Sequence, residues 1–152
     1  MKRITALAVL ALVVLTACTP AQGARWLADW IGASPEKQAM MIQAKEGYEA
    51  TKAEATAGLH CEEWYDFAIE AGFTPEQWKE PVARVMWRES MCNPNADNSS
   101  STADGLMQIV RGTWLSSCPD LPYAMRYDPQ TNLDCAYRVS GGGHYWRPWV
   151  TY

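Results

Sequence analysis

A carboxylate on an otherwise apolar helix face is the most chemically informative feature of this sequence. Val82, Val85 and Met86 lie at positions i, i+3 and i+4, and Glu89 follows at i+7 on the same predicted face. Burial disfavours the charged form of a carboxyl group and so raises its pKa. A carboxyl group that stays protonated near neutral pH can act as a general acid. Periodicity alone leaves a second interpretation equally open, in which Glu89 turns to solvent or pairs with a neighbouring arginine.

The N-terminal residues predict export. A short basic start precedes an uncharged apolar run over residues 4–17, which is shorter than the roughly 20 residues that span a bilayer as a helix. The run closes with the sequence LTAC, which resembles a bacterial lipoprotein processing box with Cys18 as the residue that receives the lipid. An ordinary signal peptide with an incidental cysteine is the alternative. The interpretation we favour is a signal peptide over 1–17 and a lipid on Cys18 that anchors the protein to a membrane facing the cell wall or periplasm.

Charge and length restrict the possible partners. The formal charge is −4, and loss of residues 1–17 removes two basic residues and no acid, which leaves −6. An acidic protein has no general electrostatic attraction for nucleic acid, so we exclude that partner. The remaining length allows one domain with a modest core. We expect a monomer without a cofactor.

Four further cysteines predict two disulfides: Cys61, Cys92, Cys118 and Cys135. Four cysteines allow three connectivities, and we favour Cys61–Cys92 with Cys118–Cys135 because each pair joins neighbouring segments. A metal site is the competing interpretation. The sequence has no C-x-x-C spacing and its two histidines lie far apart, so we predict no bound metal.

Helix-start and helix-stop signals predict a mainly α protein. Residues 18–33 form a tether, residues 34–58 a long helical spacer, and residues 59–152 a small folded domain. Within that domain the patterns predict these elements: a short helix ending at Gly72, a capping box at Thr74–Gln77, a kink at Pro81, a helix over 81–91, a loop over 95–104, a short strand or helix start over 105–110, and a helix from Asp128 to the glycines 141–143.

Several short motifs follow one another in a fixed order after the candidate acid. They are Glu89-Ser90, Asn93-Pro94 with Ala96, and Gly105-Leu106-Met107-Gln108-Ile109, and later Asp128-Pro129 with Asn132 and Ala136, then Trp146-Arg147-Pro148-Trp149. This set resembles the transglycosylase SLT family of the lysozyme superfamily, which is related to goose-type lysozymes. The resemblance covers about residues 61–149. Each piece alone is weak, but together and in order they are specific.

The resemblance implies a small lysozyme-like helical domain that cleaves peptidoglycan glycan strands. Glu89 matches the catalytic Glu, which protonates the glycosidic oxygen between N-acetylmuramic acid and N-acetylglucosamine. In lytic transglycosylases the same group then accepts the proton of the muramoyl C6 hydroxyl, and a 1,6-anhydro sugar results. Ser90 matches a serine that supports the Glu or the glycan, and Met107 and Gln108 match residues that line the cleft. Core packing is the alternative for Met107.

One position departs from the family pattern. Many members carry Ala-x-x-Tyr in the later helix, and starting from Ala136 that place is held by Val139. Tyr137 is the nearest tyrosine, and it points about 200° away on a 3.6-residue helix. Tyr137 is therefore a substrate-binding candidate only if the helix is registered differently.

The same fold supports two reactions. A lysozyme-type muramidase usually needs a second carboxylate, and Asp97 and Asp104 are the nearest candidates, although both also suit turns. We favour a single-Glu lytic transglycosylase, with hydrolysis as the alternative. A glycan-binding lipoprotein without activity is a further alternative, which the retained Glu89 disfavours.

Overall fold

The computed structural model describes residue 27 and residues 29–149. The signal peptide 1–17, the lipidation site Cys18 and the end of the tail at 150–152 lie outside these residues. The chain divides into two compact units, one ending at Glu49 and one beginning at Ala50. No helix in the described part is both long enough and apolar enough to span a bilayer.

The first long helix, α1 (Pro35–Thr56), begins and ends where the sequence predicts. The Ser34 hydroxyl accepts a hydrogen bond from the Lys37 backbone N–H at 3.4 Å, and proline at the first helical position fits a helix start. Gly58 follows the helix with φ +72°, a conformation that suits a helix end. Thr56, in its last turn, is buried, so the end of α1 contributes to the second unit.

The helix α2 (Tyr65–Ala71) follows a single 3₁₀ turn and buries Tyr65 and Ala68. It ends at Gly72, as predicted, with φ +113°. A Cβ at that position would lie 2.9 Å from the ring of Tyr137. Glycine is therefore required there both by the backbone conformation and by the close approach of the tyrosine.

The capping box also forms as predicted. The Thr74 hydroxyl accepts from the Gln77 N–H at 3.2 Å, and the Gln77 side chain accepts from the Thr74 N–H at 2.9 Å. One helical turn and an irregular turn (Trp78–Val82) follow, with the Glu80–Pro81 peptide bond cis. The chain then enters α3 (Ala83–Ser90). The predicted kink and main helix are confirmed.

A small hairpin follows α3, and here the prediction was partly wrong. The sequence predicts a loop over all of residues 95–104, but Ala103–Asp104 form strand β1 and pair antiparallel with β2 (Ile109–Val110). The turn over 105–108 folds the chain back. A strand of two residues shows no periodicity, so β1 has no signal in the sequence. The helix α4 (Arg111–Ser117) was missed as well.

The last helix, α5 (Pro129–Val139), packs against α2 and α4. The Asp128 carboxylate caps it by accepting from the Thr131 N–H at 2.9 Å and the Thr131 hydroxyl at 2.6 Å. Three glycines at 141–143, all with positive φ, then turn the chain toward a 3₁₀ turn (Arg147–Trp149) whose Trp149 is buried.

One core holds these elements together. Its largest fully buried apolar side chains come from all the helices after α1 and from the hairpin turn: Tyr65, Trp78, Val82, Val85, Met86, Leu106, Met107, Trp114 and Leu133. The architecture is a small, mainly α domain with a two-stranded hairpin, as the sequence predicts.

Both disulfides of the favoured pairing are present. Cys61–Cys92 joins the segment before α2 to the segment after α3, and Cys118–Cys135 joins the end of α4 to α5. They enclose sequence separations of 31 and 17 residues. Each bridge therefore constrains a long stretch of the unfolded chain.

Removing either disulfide should destabilise the domain measurably. Loop-closure entropy predicts a loss of about 3–4 kcal/mol in the free energy of unfolding for each alanine pair, and about 0.5 kcal/mol more for Cys61/Cys92 than for Cys118/Cys135. Urea unfolding measures the difference. A variant lacking all four cysteines is the control, because reductant should not change its stability. An unchanged melting temperature of the parent under strong reductant would contradict this account.

Candidate active site

Glu89 lies in the last turn of α3 and is half-buried. Val85 and Met86, one turn earlier on the same face, are fully buried. Ser90 is also buried, and its hydroxyl donates to the Met86 carbonyl oxygen at 3.1 Å. The helix therefore presents Glu89 at the border between core and solvent, between the two interpretations that periodicity left open, while the Ser90 hydroxyl is bonded within the helix.

The end of α3 is held by covalent and hydrogen bonds. Met91 and Cys92 both adopt positive φ, +51° and +64°, which reverses the chain directly after the helix. The disulfide to Cys61 then fixes Cys92. The Trp64 indole N–H donates to the Cys92 carbonyl oxygen at 3.0 Å. These bonds fix the chain three residues beyond Glu89.

A backbone carbonyl joins the candidate acid's segment to the hairpin. The Ala96 N–H donates to the Asn93 carbonyl oxygen at 3.2 Å. The Ala96 carbonyl oxygen accepts from the Gly105 N–H at 2.8 Å. It accepts a second hydrogen bond from the Gln108 side-chain Nε2 at 3.1 Å. The turn after α3 and the turn of the hairpin are therefore bonded to each other.

The hairpin turn has a tight steric requirement at Gly105. Its φ is +76°, and a Cβ there would lie 2.4 Å from the Arg126 carbonyl oxygen and 2.4 Å from the Asn132 Nδ2. A side chain cannot be accommodated against the backbone of one neighbour and the amide of the other. Glycine is needed because Asn132 occupies the adjacent space.

Asn132 is fully buried and organises the turn. Its Nδ2 donates to the Arg126 carbonyl oxygen at 2.8 Å and to the Asp104 carbonyl oxygen at 3.3 Å. Its Oδ1 accepts from the Met107 N–H at 3.0 Å. The Met107 carbonyl oxygen in turn accepts from the Trp149 indole N–H at 2.7 Å. Side chains from α5 and the tail thus hold both backbone groups of Met107.

The two cleft candidates in this turn have different surroundings. Met107 has no exposed surface, so its side chain packs in the core and supports the turn. Gln108 is half-buried, with φ +45°. Its Nε2 donates to the carbonyl oxygens of Ala96 and Gly105, both at 3.1 Å. These bonds orient the amide and leave its Oε1 without a donor among the described residues.

A small open pocket lies beside Gln108. Its volume is about 50 Å³, and its walls come from β2, α4, α5 and the tail: Ile109, Val110, Thr113, Val139, Pro148 and Trp149. Most of the lining residues are apolar, and Thr113 and Gln108 are the polar ones. Such a pocket can take a small group that is partly apolar.

Tyr137 lies in a different packing environment. Its ring meets Phe73 edge-on, with centroids 5.1 Å apart. It lies directly against Gly72, and its hydroxyl lies close to Gly142. The described contacts of Tyr137 therefore join α5 to the residues after α2 and to the glycine turn, whereas Gln108 and the Glu89 segment are joined through Ala96.

Asp104 is buried within a cluster that the sequence did not reveal. Its carboxylate accepts from the Tyr123 hydroxyl at 2.8 Å, the Tyr127 hydroxyl at 2.9 Å and the Arg126 Nε at 2.7 Å. Burial would raise the pKa of Asp104, but these hydrogen bonds and the Arg126 charge lower it below its ordinary value. The carboxylate anchors the hairpin to the segment before α5.

The other second-acid candidate is differently placed. Asp97 is exposed, and its backbone forms an isolated bridge with Asp104. In the described part of the chain, no three His, Cys, Asp or Glu residues come together as a metal site would require.

The Asp104 cluster gives a prediction for acid stability. Asp104→Asn should lower the free energy of unfolding by about 2 kcal/mol at pH 7, since the partly exposed Arg126 and two tyrosine hydroxyls lose a charged acceptor. Because the folded pKa is lowered, the charged group stabilises the fold above the unfolded pKa of about 3.9 and stops doing so as pH falls through the folded value.

Chemical unfolding of parent and variant between pH 3 and pH 7 measures this effect, and the difference should shrink at the acid end. Asp120→Asn is the matched control. Asp120 also pairs with an arginine, Arg138, but the pair is exposed, so its removal should change stability much less. An equal loss in both variants would contradict the anchoring role of Asp104.

Comparison with known proteins supports the motif-based assignment. The SLT_3 family model, described as "Lysozyme like domain", matches residues 65–151, which is more than half of the chain and spans the elements from α2 to the tail. No curated protein and no solved structure matches the chain significantly. Sequence motifs, fold and family model agree, and the chain belongs to the lysozyme-like domain family.

Proposed function

We propose that this protein is a peptidoglycan lytic transglycosylase that uses Glu89 as its single catalytic acid and base. The observation that carries the proposal is the placement of Glu89. It is a half-buried carboxyl group at the end of an apolar helix face, and the segment after it is hydrogen-bonded through Ala96 to a turn that presents Gln108. The lysozyme-like family supports cleavage of peptidoglycan glycans in general.

The proposed reaction needs one proton donor and acceptor. Glu89 protonates the oxygen of the bond between N-acetylmuramic acid and N-acetylglucosamine as that bond breaks. The carboxylate then takes the proton of the muramoyl C6 hydroxyl, whose oxygen attacks the anomeric carbon. The product is a 1,6-anhydro ring, and Glu89 returns to its protonated form. A half-buried position suits both steps, because the carboxyl group can reach a substrate while the helix behind it is packed in the core.

The surroundings of Asp104 favour internal transfer over hydrolysis. Retaining and inverting hydrolases generally use a second carboxylate, as nucleophile or to activate water. The carboxylate of Asp104 already accepts three hydrogen bonds from its own chain, so it is committed to holding the hairpin. Asp97 is the remaining candidate for the alternative activity, a muramidase.

Substrate contacts are assigned by geometry and by residue type. The oriented amide of Gln108 offers its Oε1 to a sugar hydroxyl or acetamido N–H, and the pocket beside it suits a small apolar substituent. Ser90 and Met107 are buried, so we assign them to the support of Glu89 and of the turn. Tyr137 remains a candidate for substrate contact.

The location of the protein follows from the same proposal. Peptidoglycan lies outside the cytoplasmic membrane, and two disulfides suit an oxidising compartment. We propose a monomer that is exported and attached to the membrane by a lipid on Cys18.

Glu89→Gln should abolish release of muropeptides from purified sacculi. General acid–base catalysis contributes about 10²- to 10⁴-fold, and one residue serves both steps here, so the loss should reach the upper end. Mass spectrometry of the products reports it. Exposed Glu62 provides the control Glu62→Gln, which should retain full activity. Release of anhydro products by the Glu89 variant would remove Glu89 from the mechanism.

Asp97→Asn distinguishes the two reactions on the same fold. A transglycosylase should keep its rate within about twofold, whereas a hydrolase that relies on this carboxylate should lose at least about 100-fold. The products give an independent answer, since hydrolysis leaves free reducing ends. A large loss together with reducing-end products would move the assignment to a muramidase.

A further inference from the structure

Trp87 and His60 form a paired aromatic surface that no part of the proposed mechanism uses. Their rings stack with centroids 4.0 Å apart and planes 14° from parallel. Both residues are exposed, and 38% of Trp87 is accessible to solvent. Among the tryptophans that the structure describes, Trp87 alone is exposed. We call this pair the aromatic platform.

The platform is rigid. Trp87 lies in α3, and His60 immediately precedes Cys61, whose disulfide reaches Cys92 just beyond the same helix. The bridge therefore holds the two stacked rings together from neighbouring backbone segments. A ring pair fixed in this way loses little conformational entropy when a ligand stacks on it.

The platform faces away from the candidate acid. Trp87 and Glu89 are two residues apart on α3, so their side chains point about 200° apart around the helix axis. Glu89 shares the face of buried Val85 and Met86, whereas Trp87 shares the exposed face with Arg84 and Arg88. A ligand on the platform is therefore bound at a site separate from the catalytic one.

We propose that the aromatic platform is a second binding site for a pyranose ring of the peptidoglycan glycan strands, separate from the site of cleavage. The inference rests on the proposed function for its ligand. A pyranose ring has an apolar C–H face that stacks on aromatic rings, and hydroxyl groups at its edge that remain in water. Because Trp87 and His60 stack face to face, each ring covers one face of the other, and the pyranose ring would stack on an outer face of the pair, beside exposed Arg84 and Arg88. A stable protein partner would need about 800 Å² of contact surface on each side, far more than two rings offer.

The physical consequence is a higher local concentration of enzyme on its substrate. Peptidoglycan is a network of linked strands, so one strand can stack on the platform while another occupies the cleft. Two weak contacts to the same network bind more tightly than either contact alone. The platform should therefore matter for sacculi and not for short soluble fragments.

The test uses the full-length protein with Glu89→Gln as the background, so that binding to sacculi is measured without cleavage. Co-sedimentation with purified sacculi should weaken about tenfold when Trp87→Ala is added, as the loss of one aromatic stacking contact predicts. Trp87→Tyr keeps a stacking ring and should bind nearly as well as the background. Leu115→Ala, at another exposed apolar residue, is the control for surface changes and should bind normally. Circular dichroism checks that each variant is folded.

A second measurement uses the same Trp87→Ala change with Glu89 intact. Cleavage of sacculi should fall, while the rate on short soluble glycan fragments should stay unchanged. Equal binding of the Trp87→Ala variant and its background to sacculi would overturn the proposal. Equal losses on sacculi and fragments would place Trp87 in the catalytic cleft and also overturn it, as would a change from dimer to monomer on Trp87→Ala in sedimentation analysis. Binding to sacculi that depends on Trp87, without any cleavage by the intact protein, would support the platform and refute only the proposed activity.

Discussion

The hydrogen bonds of the Asn132 side chain are the constraint on which the candidate cleft depends. The amide is fully buried, so a missing partner would leave the cost of its desolvation uncompensated. Its partners are backbone groups of Asp104, Met107 and Arg126, which belong to the hairpin and to the segment before α5. One side chain from a helix therefore sets the position of a turn that has little regular structure of its own. The same arrangement requires glycine at position 105, because any side chain there would collide with the Asn132 amide.

The end of α3 is fixed by a different kind of constraint. Positive φ at Met91 and Cys92 is unfavourable for residues with a Cβ, so the surrounding structure must hold this reversal in place. The Cys61–Cys92 disulfide and the hydrogen bond from Trp64 supply that restraint. The position of Glu89 consequently depends on packing at one end of α3 and on a covalent bond at the other. The two halves of the site meet at the Ala96 carbonyl oxygen, which accepts from the Gly105 backbone N–H and from the Gln108 side chain.

Elements with a local stop or start signal could be predicted from the sequence. Gly72 ends α2, the Thr74 capping box begins the next turn, and Asp128 caps α5, because each of these signals acts within a few residues. The helix α4 was missed because Val110 occupies its N-cap position and offers no side-chain acceptor. The strand β1 was missed because two residues show no periodicity. Element prediction therefore failed where the structure is determined by distant contacts.

In the candidate site, too, residues with local sequence signals could be predicted and residues that depend on distant contacts could not. Motif order predicts Glu89 and Gln108 as site residues, and the Ala96 carbonyl oxygen that connects their segments lies between them in the sequence. Nothing local to Asp104 indicates its role, because the groups that bind it lie 19 to 23 residues further along the chain. In the sequence its neighbour Gly105 made it look like a turn residue or a second acid. Only the folded chain shows that its charge is used to hold the hairpin.

The two faces of α3 belong to one helix and keep a fixed orientation to each other, which bears on how the protein would bind a polymer. The inner face carries Glu89 and the outer face carries Trp87, and the disulfide of Cys92 holds both the end of the helix and the segment that contains His60. A rigid helix transmits the position of one face to the other, so a strand on the proposed platform would be held at a fixed offset from Glu89. Reduction of this disulfide should therefore disturb cleavage and binding together, whereas changes confined to one face should separate them. This difference between reducing the disulfide and changing one face follows from the geometry of a single helix.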